Sequence, residues 1–499
     1  MIYIGIVALI LLIISVAWSY SLANQDPELL WDWDSLDVDG VLNEPFPEDF
    51  LWGSATAAHQ VEGGNDKNNW YWWEHQVDKK GNPRIHGGQK SGAAAEHWTR
   101  YPEDLKIMSQ QMHMNSYRFS IEWSRIQPEK GVWNQDALDH YAKMIDCMLE
   151  YGIQPMATLH HFSHPMWFEE MGSFEKEENL PYFLDYSAKV FAQLSDRVPR
   201  WCTHNESGPF ATMGWGLGAF PPGKNDNKLM VQVLLNLMRS HVRLYHRLKS
   251  MENGKNVEIG LVKNIFQFDP VHRWNLIQTL ICRQLDLIYN ESIIGLLRDG
   301  VFRAKWLYKA DEVFPIADAK GASDFVGLNY YSTLLVSLGR ALDPFKPVVR
   351  PGQICTDFPY ATYPEGFYRA INRMKQLNKP IIITENGIPD NRDDRRADWI
   401  KRYSYAMKRA MNEGADIQGY HYWTLMDNFE WAEGYDMRFG LLEVDFDTQK
   451  RTVREGSKEL IELIKKRSNI YSKALYQIKC DNLTKTEIVN KIIEIYETN

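Results

Sequence analysis

Ile381-Ile-Ile-Thr-Glu-Asn-Gly387, entered through Pro380, decides how this chain is read. Three β-branched residues in succession read as a short strand buried on both faces, and Asn386-Gly387 reads as the turn that closes it. Glu385 stands at the end of that strand, where side chains point into the space beyond the sheet. A carboxylate there is either a satisfied polar residue or part of a site. The stretch Trp201-Cys-Thr-His-Asn-Glu206-Ser207 repeats the form, ending in Thr, polar residues and Glu. Two carboxylates at the ends of two parallel strands are what glycoside cleavage requires, one as acid/base and one as nucleophile.

Outward from these two, further strands are expected at Phe50–Thr56, Asn115–Ile121, Gln154–His160, Glu258–Lys263, Asp324–Tyr331 and Ile417–Thr424. Helical spacing falls over Asp136–Tyr151, Leu180–Leu194 and about Leu229–Leu248, while the polar, Gly-containing Asn65–Gly88 reads as a long loop. Eight strands alternating with helices predict an α/β fold, a single closed (β/α)8 TIM barrel with long βα loops, spanning 46–468. A doubly wound open sheet is the alternative on the same pattern. It would normally carry a Gly-rich phosphate loop after an early strand, and neither G-x-G-x-x-G nor a Walker-type stretch is found. An acidic leader with Trp31 and Trp33 covers 24–45, packed on the surface or left mobile. A helical, charged extension is expected over 469–499.

The net charge of −9 argues against a nucleic-acid partner. The 18 Trp suit either a large core or stacking on the C–H faces of sugar rings. Five Cys (Cys147, Cys202, Cys282, Cys355, Cys480) show no metal-ligand spacing, and an odd number cannot all pair internally. His160-His161-Phe-Ser-His164 could suggest a metal, but neighbouring strand residues point to opposite sides and no acidic or Cys partner is near. No metal and no cofactor is expected.

Ile2 to Trp18 is almost continuously apolar, and Ser21 and Ala23 supply small residues, as in a signal peptide cleaved after Ala23. The first basic residue is Lys67, and the run is slightly long for a signal and slightly short for a spanning helix. Residues 1–23 are therefore a signal peptide or, alternatively, a membrane anchor over 2–18. Both place the barrel on the lumenal or extracellular side, and membrane contact is expected only if the segment stays uncleaved. Asn290-Glu-Ser and Asn482-Leu-Thr could then carry glycans.

Thr203-His-Asn-Glu206 and Ile383-Thr-Glu385-Asn-Gly resemble the two catalytic motifs of glycoside hydrolase family 1, the β-glucosidase family, and further family motifs follow in order from about Phe46 to Phe446. The resemblance implies a retaining β-glycosidase. Glu206 would be the acid/base and Glu385 the nucleophile, with Arg118 and Tyr331 beside Glu385. Asn205 would bind the sugar 2-hydroxyl, a contact that tightens in the transition state. Gln60, His161, Asn329, Trp423, Glu430 and Trp431 match the family's sugar pocket, and Phe439 would border the 6-position. Glu430 would hold the 4- and 6-hydroxyls and repel a 6-phosphate by charge. Glu62, Glu122 and Glu433 are expected to be structural. His59, Phe162 and His204 depart from the family pattern; Phe162 stands where many members have Trp and forfeits an indole N–H donor to the sugar.

The expected partner is a small-molecule or oligosaccharide β-glycoside, glucosides first, then galactosides, fucosides or mannosides. A transglycosidase on the same machinery and a non-catalytic sugar- or receptor-binding module are the competing readings. The sequence does not separate hydrolase from transglycosidase, because water exclusion is set by the loops Asn65–Gly88, Gly214–Asn227, Asp311–Ala322 and Pro344–Ala361. The presence of both Glu residues speaks against the third. The oligomeric state is not legible.

Overall fold

The computed structural model describes residues 2–23, 29–307, 310–337, 348–350, 352–358 and 360–466. The extension expected over 469–499 lies outside them, as do Cys480 and Asn482. Eight parallel strands close into a barrel in chain order: β1 (Leu51–Ala55), β2 (Ser116–Ser120), β3 (Gln154–Thr158), β4 (Arg200–Cys202), β5 (Glu258–Asn264), β6 (Phe325–Asn329), β7 (Ile381–Asn386) and β8 (Ile417–Trp423). β8 returns to pair with β1, Ala55 lying opposite Trp423. The sheet is therefore closed, not doubly wound.

Strands β1, β2, β6 and β7 are buried at every position. That follows from helices covering the outside and side chains filling the inside. The floor of the lumen is filled by one residue from each of five neighbouring strands: Met156, Cys202, Val262, Phe325 and Ile382. Gly260 on β5 leaves room for this plug, since a Cβ there would lie 2.6 Å from the Phe325 ring.

Around the barrel run α2 (His97–Gln110), α3 (Gln135–Glu150), α4 (Leu180–Leu194), α5 (Asn227–Lys249), α6 (Leu276–Asp286), α7 (Ser292–Asp299), α8 (Pro364–Lys375) and α9 (Arg396–Asn412); α1 (Ile2–Leu22) precedes them. Side chains set several starts. Asn134 accepts from the Ala137 amide before α3, Asp226 from the Lys228 and Leu229 amides before α5, and Asn275 from the Ile277 and Gln278 amides before α6. Each satisfies amides that the first turn leaves without an intrahelical partner.

Three features depart from the expectation. The Asn65–Gly88 stretch contains a helix, Asn69–Glu74, started by the Asn68 side chain and buried through Trp70 and Trp73. Two antiparallel hairpins interrupt the alternation, Val301–Ala304 with Glu312–Pro315 and Leu442–Asp445 with Lys450–Val453. Asn290 is fully buried, its amide donating to the Phe266 carbonyl at 2.7 Å and to Asp286 at 2.8 Å, so the folded chain has no room for a glycan there. The described part of the leader packs on the surface: the Trp31 amide and the Trp33 indole both donate to Glu365, at 2.9 and 3.0 Å.

The strand ends stand level. Asn329 lies opposite Asn264 on one side and Glu385 on the other. Beyond β7, Gly387 passes so close to β8 that a Cβ would sit 1.8 Å from the Trp423 carbonyl oxygen. Gly387→Ala is expected to cost about 1–3 kcal/mol by overpacking. Urea unfolding measures it, and an unchanged midpoint would mean that β7 and β8 separate here without penalty.

Candidate active site

Glu385 is the penultimate residue of β7 and Glu206 follows β4, both almost fully buried. Glu206 adopts a left-handed backbone conformation, φ 44° and ψ 61°, as the chain turns from β4 into the short helix Ser207–Ala211. A non-glycine residue there carries backbone strain of about 1–2 kcal/mol, which the surrounding packing holds in place.

The two carboxylates have different partners. Arg118, reaching across from β2, donates to Glu385 through Nη1 at 2.6 Å, and the Tyr331 hydroxyl donates to the other oxygen at 2.7 Å. Glu206 accepts from the neutral Asn329 amide at 2.8 Å. Burial and the nearby Glu385 charge push Glu206 up to about 8. Burial also raises Glu385, but Arg118 and Tyr331 oppose it. A guanidinium stabilises a carboxylate more than an amide N–H does, so a proton shared by the pair resides on Glu206.

Arg118 also orients Asn205. Its Nη2 donates to Asn205 Oδ1 at 2.7 Å, which leaves the Asn205 amide nitrogen as a donor, 2.9 Å from His161 Nε2. Burial and Arg118 hold His161 well below its ordinary value, so it is neutral. With Nε2 accepting, Nδ1 carries the hydrogen. His161 Nδ1 and Gln60 Oε1 are buried without a protein partner. An orphaned donor and an orphaned acceptor in one cavity suit a polyhydroxylated ligand.

Glu430 accepts from Gln60 at 3.1 Å and also bonds Trp423. Burial pushes Glu430 up to about 8, so at neutral pH it is mostly uncharged. Trp431 and Trp423 lie 5.9 and 5.6 Å from the His161 ring, and Phe439 meets Tyr331 edge-on at 6.0 Å. Phe162 packs on Trp431 at 5.2 Å and offers no polar atom. Gln60, Arg118, His161, Asn205, Glu206, Asn329, Tyr331, Glu385, Trp423, Glu430, Trp431 and Phe439 are thus linked by direct contacts at one end of the barrel.

The remaining sequence candidates have other hydrogen-bond partners, and His59 stacks on Trp431 at 6.2 Å. Glu62 pairs with Arg125 at 2.7 Å and takes the Tyr141 hydroxyl; Glu122 accepts from Ser124 and Ser163, both at 2.7 Å. His160 lies among aromatic rings, 5.1 Å from Phe174 and 5.0 Å from Phe210, apart from His161. His59 bonds Asn68 at 3.0 Å, and His204 bonds Ser240 at 2.7 Å.

Sequence reasoning missed Asn264, Lys263 and Tyr289. Asn264 bonds Glu206 and accepts from the Tyr289 hydroxyl at 2.8 Å. The buried Lys263 ammonium lies 4.3 Å from the Tyr289 ring centre and is pushed down to about 7, chiefly by burial. Asn264 was findable, because it ends β5, as Glu385 stands at the C-terminal end of β7.

Residues 42–469 match the model for glycosyl hydrolase family 1. Beta-glucosidase A of Acetivibrio thermocellus is 34% identical over 451 residues, covering 84% of this chain and 98% of that protein. The solved beta-glucosidase of Thermotoga maritima in complex with castanospermine superposes with a TM-score of 0.75 at 31% identity, covering 85% of this chain and 98% of the other. The beta-glycosidase from Pyrococcus horikoshii superposes at 0.74 with 32% identity, covering 85% and 95%.

The Tyr331 hydroxyl favours the charged form of Glu385. Tyr331→Phe removes that donor, raises the carboxyl's pKa, and moves the acid limb of kcat/KM for an aryl β-glycoside to higher pH by about one unit. Overlapping acid limbs for variant and wild type would show that the hydroxyl does not stabilise the charged carboxylate.

Proposed function

The chain belongs to glycosyl hydrolase family 1 and is an O-glycosyl hydrolase, and on that premise we propose that it cleaves β-D-glucosides, with Glu385 as nucleophile and Glu206 as acid/base. The asymmetry of the buried pair carries this reading: one carboxylate faces a guanidinium and a phenol, the other an amide.

Glu385 attacks the anomeric carbon while Glu206 gives its proton to the departing oxygen, and a glycosyl ester forms on Glu385. The ester carries no charge. The repulsion that helped raise Glu206 then disappears, its proton affinity falls, and it becomes the base that takes a proton from water. Water attacks the same carbon, and the two inversions give retention. Asn205, its donor end turned inward by Arg118, suits the 2-hydroxyl. Gln60 and Glu430 suit the 4- and 6-hydroxyls, and the neutral His161 Nδ1–H suits the 3-hydroxyl. Names of the relatives support glucose as the sugar. The apolar α1, as signal sequence or anchor, would deliver the barrel to the lumenal or extracellular side.

Glu206→Gln should lower kcat/KM by about 10²–10⁴-fold on glucosides with poor leaving groups, and far less on those needing no protonation. Glu385→Gln should abolish turnover of both. In the wild type, kcat/KM should fall as pH rises through about 8, where Glu206 loses its proton. Equal losses on both substrates for Glu206→Gln would overturn its assignment as the acid.

A further inference from the structure

Two exposed apolar features beside the catalytic rim play no part in the chemistry above. Helix α1 contains a 20-residue apolar stretch, Tyr3–Leu22. Residues 3–14 are exposed, whereas its last two turns rest on the barrel domain. Ser19 is fully buried; its hydroxyl donates to the Arg273 carbonyl at 2.6 Å and shares a hydrogen bond with Thr279 of α6 at 2.8 Å. The Arg273 guanidinium covers the Tyr20 ring at 4.9 Å. Next to this contact the barrel domain presents Trp274, 54% exposed, and Ile277, 58% exposed, while α1 presents Trp18, 53% exposed. Trp274 lies in the connection that leaves the C-terminal end of β5, and Ile277 in the first turn of α6, which that connection leads into. α6 leads on to Tyr289, which holds Asn264 beside Glu206.

Length ties the two features together. At 1.5 Å per residue, residues 3–22 span about 30 Å, the thickness of a bilayer's hydrocarbon core. Residues 3–14 alone reach about 18 Å on the same rise. The helix can cross a bilayer only if its docked turns also enter the lipid boundary, and the start of α6 must then come with them. What arrives there suits that boundary: indole rings and an aliphatic side chain for the lipid edge, and Arg273 and His272 for the headgroups.

We propose that α1 is retained as a membrane anchor and that Trp274 and Ile277, with Trp18, form a lipid-docking surface that holds the catalytic rim against the bilayer. Two hydrogen bonds from the buried Ser19 into the folded domain are out of keeping with a peptide that is cut away. The placement favours amphiphilic β-glycosides, with the sugar in water and the tail in the membrane. This substrate class rests on the glycosidase reading; the docking surface does not.

The full-length chain, expressed in a secretory host and reconstituted in phosphatidylcholine vesicles, tests both. Its mature form should keep residues 1–23; a product starting at Asn24 would overturn the proposal. A fluorophore attached through Ile277→Cys should be quenched by doxyl-labelled lipid, and one attached through Leu149→Cys, at the far end of α3, should not. Equal quenching at the two sites would also overturn it. A Trp274→Ser, Ile277→Ser double variant should hydrolyse a soluble aryl glucoside as the wild type does. On an alkyl glucoside embedded in vesicles it should lose about tenfold in kcat/KM. Unchanged rates on both substrates would sink the substrate class, whereas quenching at 277 without turnover of any glycoside would sink the glycosidase reading and leave the docking surface standing.

Discussion

A single buried guanidinium carries much of this structure. Arg118 stands on β2 and ties β7 through Glu385 and the β4 connection through Asn205, across the lumen of the barrel. Removing one partner of a buried pair strands the other charge and costs about 3–5 kcal/mol. Both partners here are less than 5% exposed, so the pair constrains which way the strand ends point. Barrel closure brings Arg118 within reach, and Arg118 in turn fixes the nucleophile's position and the orientation of the Asn205 amide.

The same pair makes two chemically identical side chains unequal. Glu385 has its counter-charge, and Glu206 has neutral donors and a lysine kept low by burial. The difference comes from the protein partners, since both side chains are almost fully buried. Preorganised donors of this kind act without reorganising during the reaction. The Thr384 hydroxyl, donating to Asn329 Oδ1 at 2.6 Å, extends the order outward by fixing which end of that amide faces Glu206.

The barrel was legible because parallel strands buried on both faces leave continuous apolar runs, as at Ile381–Ile383. The polar residue ending such a run was legible for the same reason, and it led to Glu206 and Glu385. The helix Asn69–Glu74 was not. Its flanks are polar, and two tryptophans three apart are too short a period to distinguish from a loop. Lys263 was hidden more deeply, since a lysine beside Val262 reads as a solvated edge until the fold closes around it. The hairpin at Lys450–Val453 depends on Arg451 reaching Asp104 at 2.7 Å, a contact between residues far apart in the chain that no local pattern encodes. The charge state of Glu430 depends on burial in the same way.

The leader's grip on Glu365 has a mechanical consequence. Eight residues, 23–30, separate the end of α1 from Trp31, so the two attachments can stand at most about 30 Å apart along the chain. Docking of α1 on α6 is thereby an intramolecular event at high effective concentration, and two modest attachments act with the strength of one tight one. The barrel is not a body on a loose leash. With α1 retained as proposed, the clasp at one end of the tether and the docked turns at the other would set its tilt.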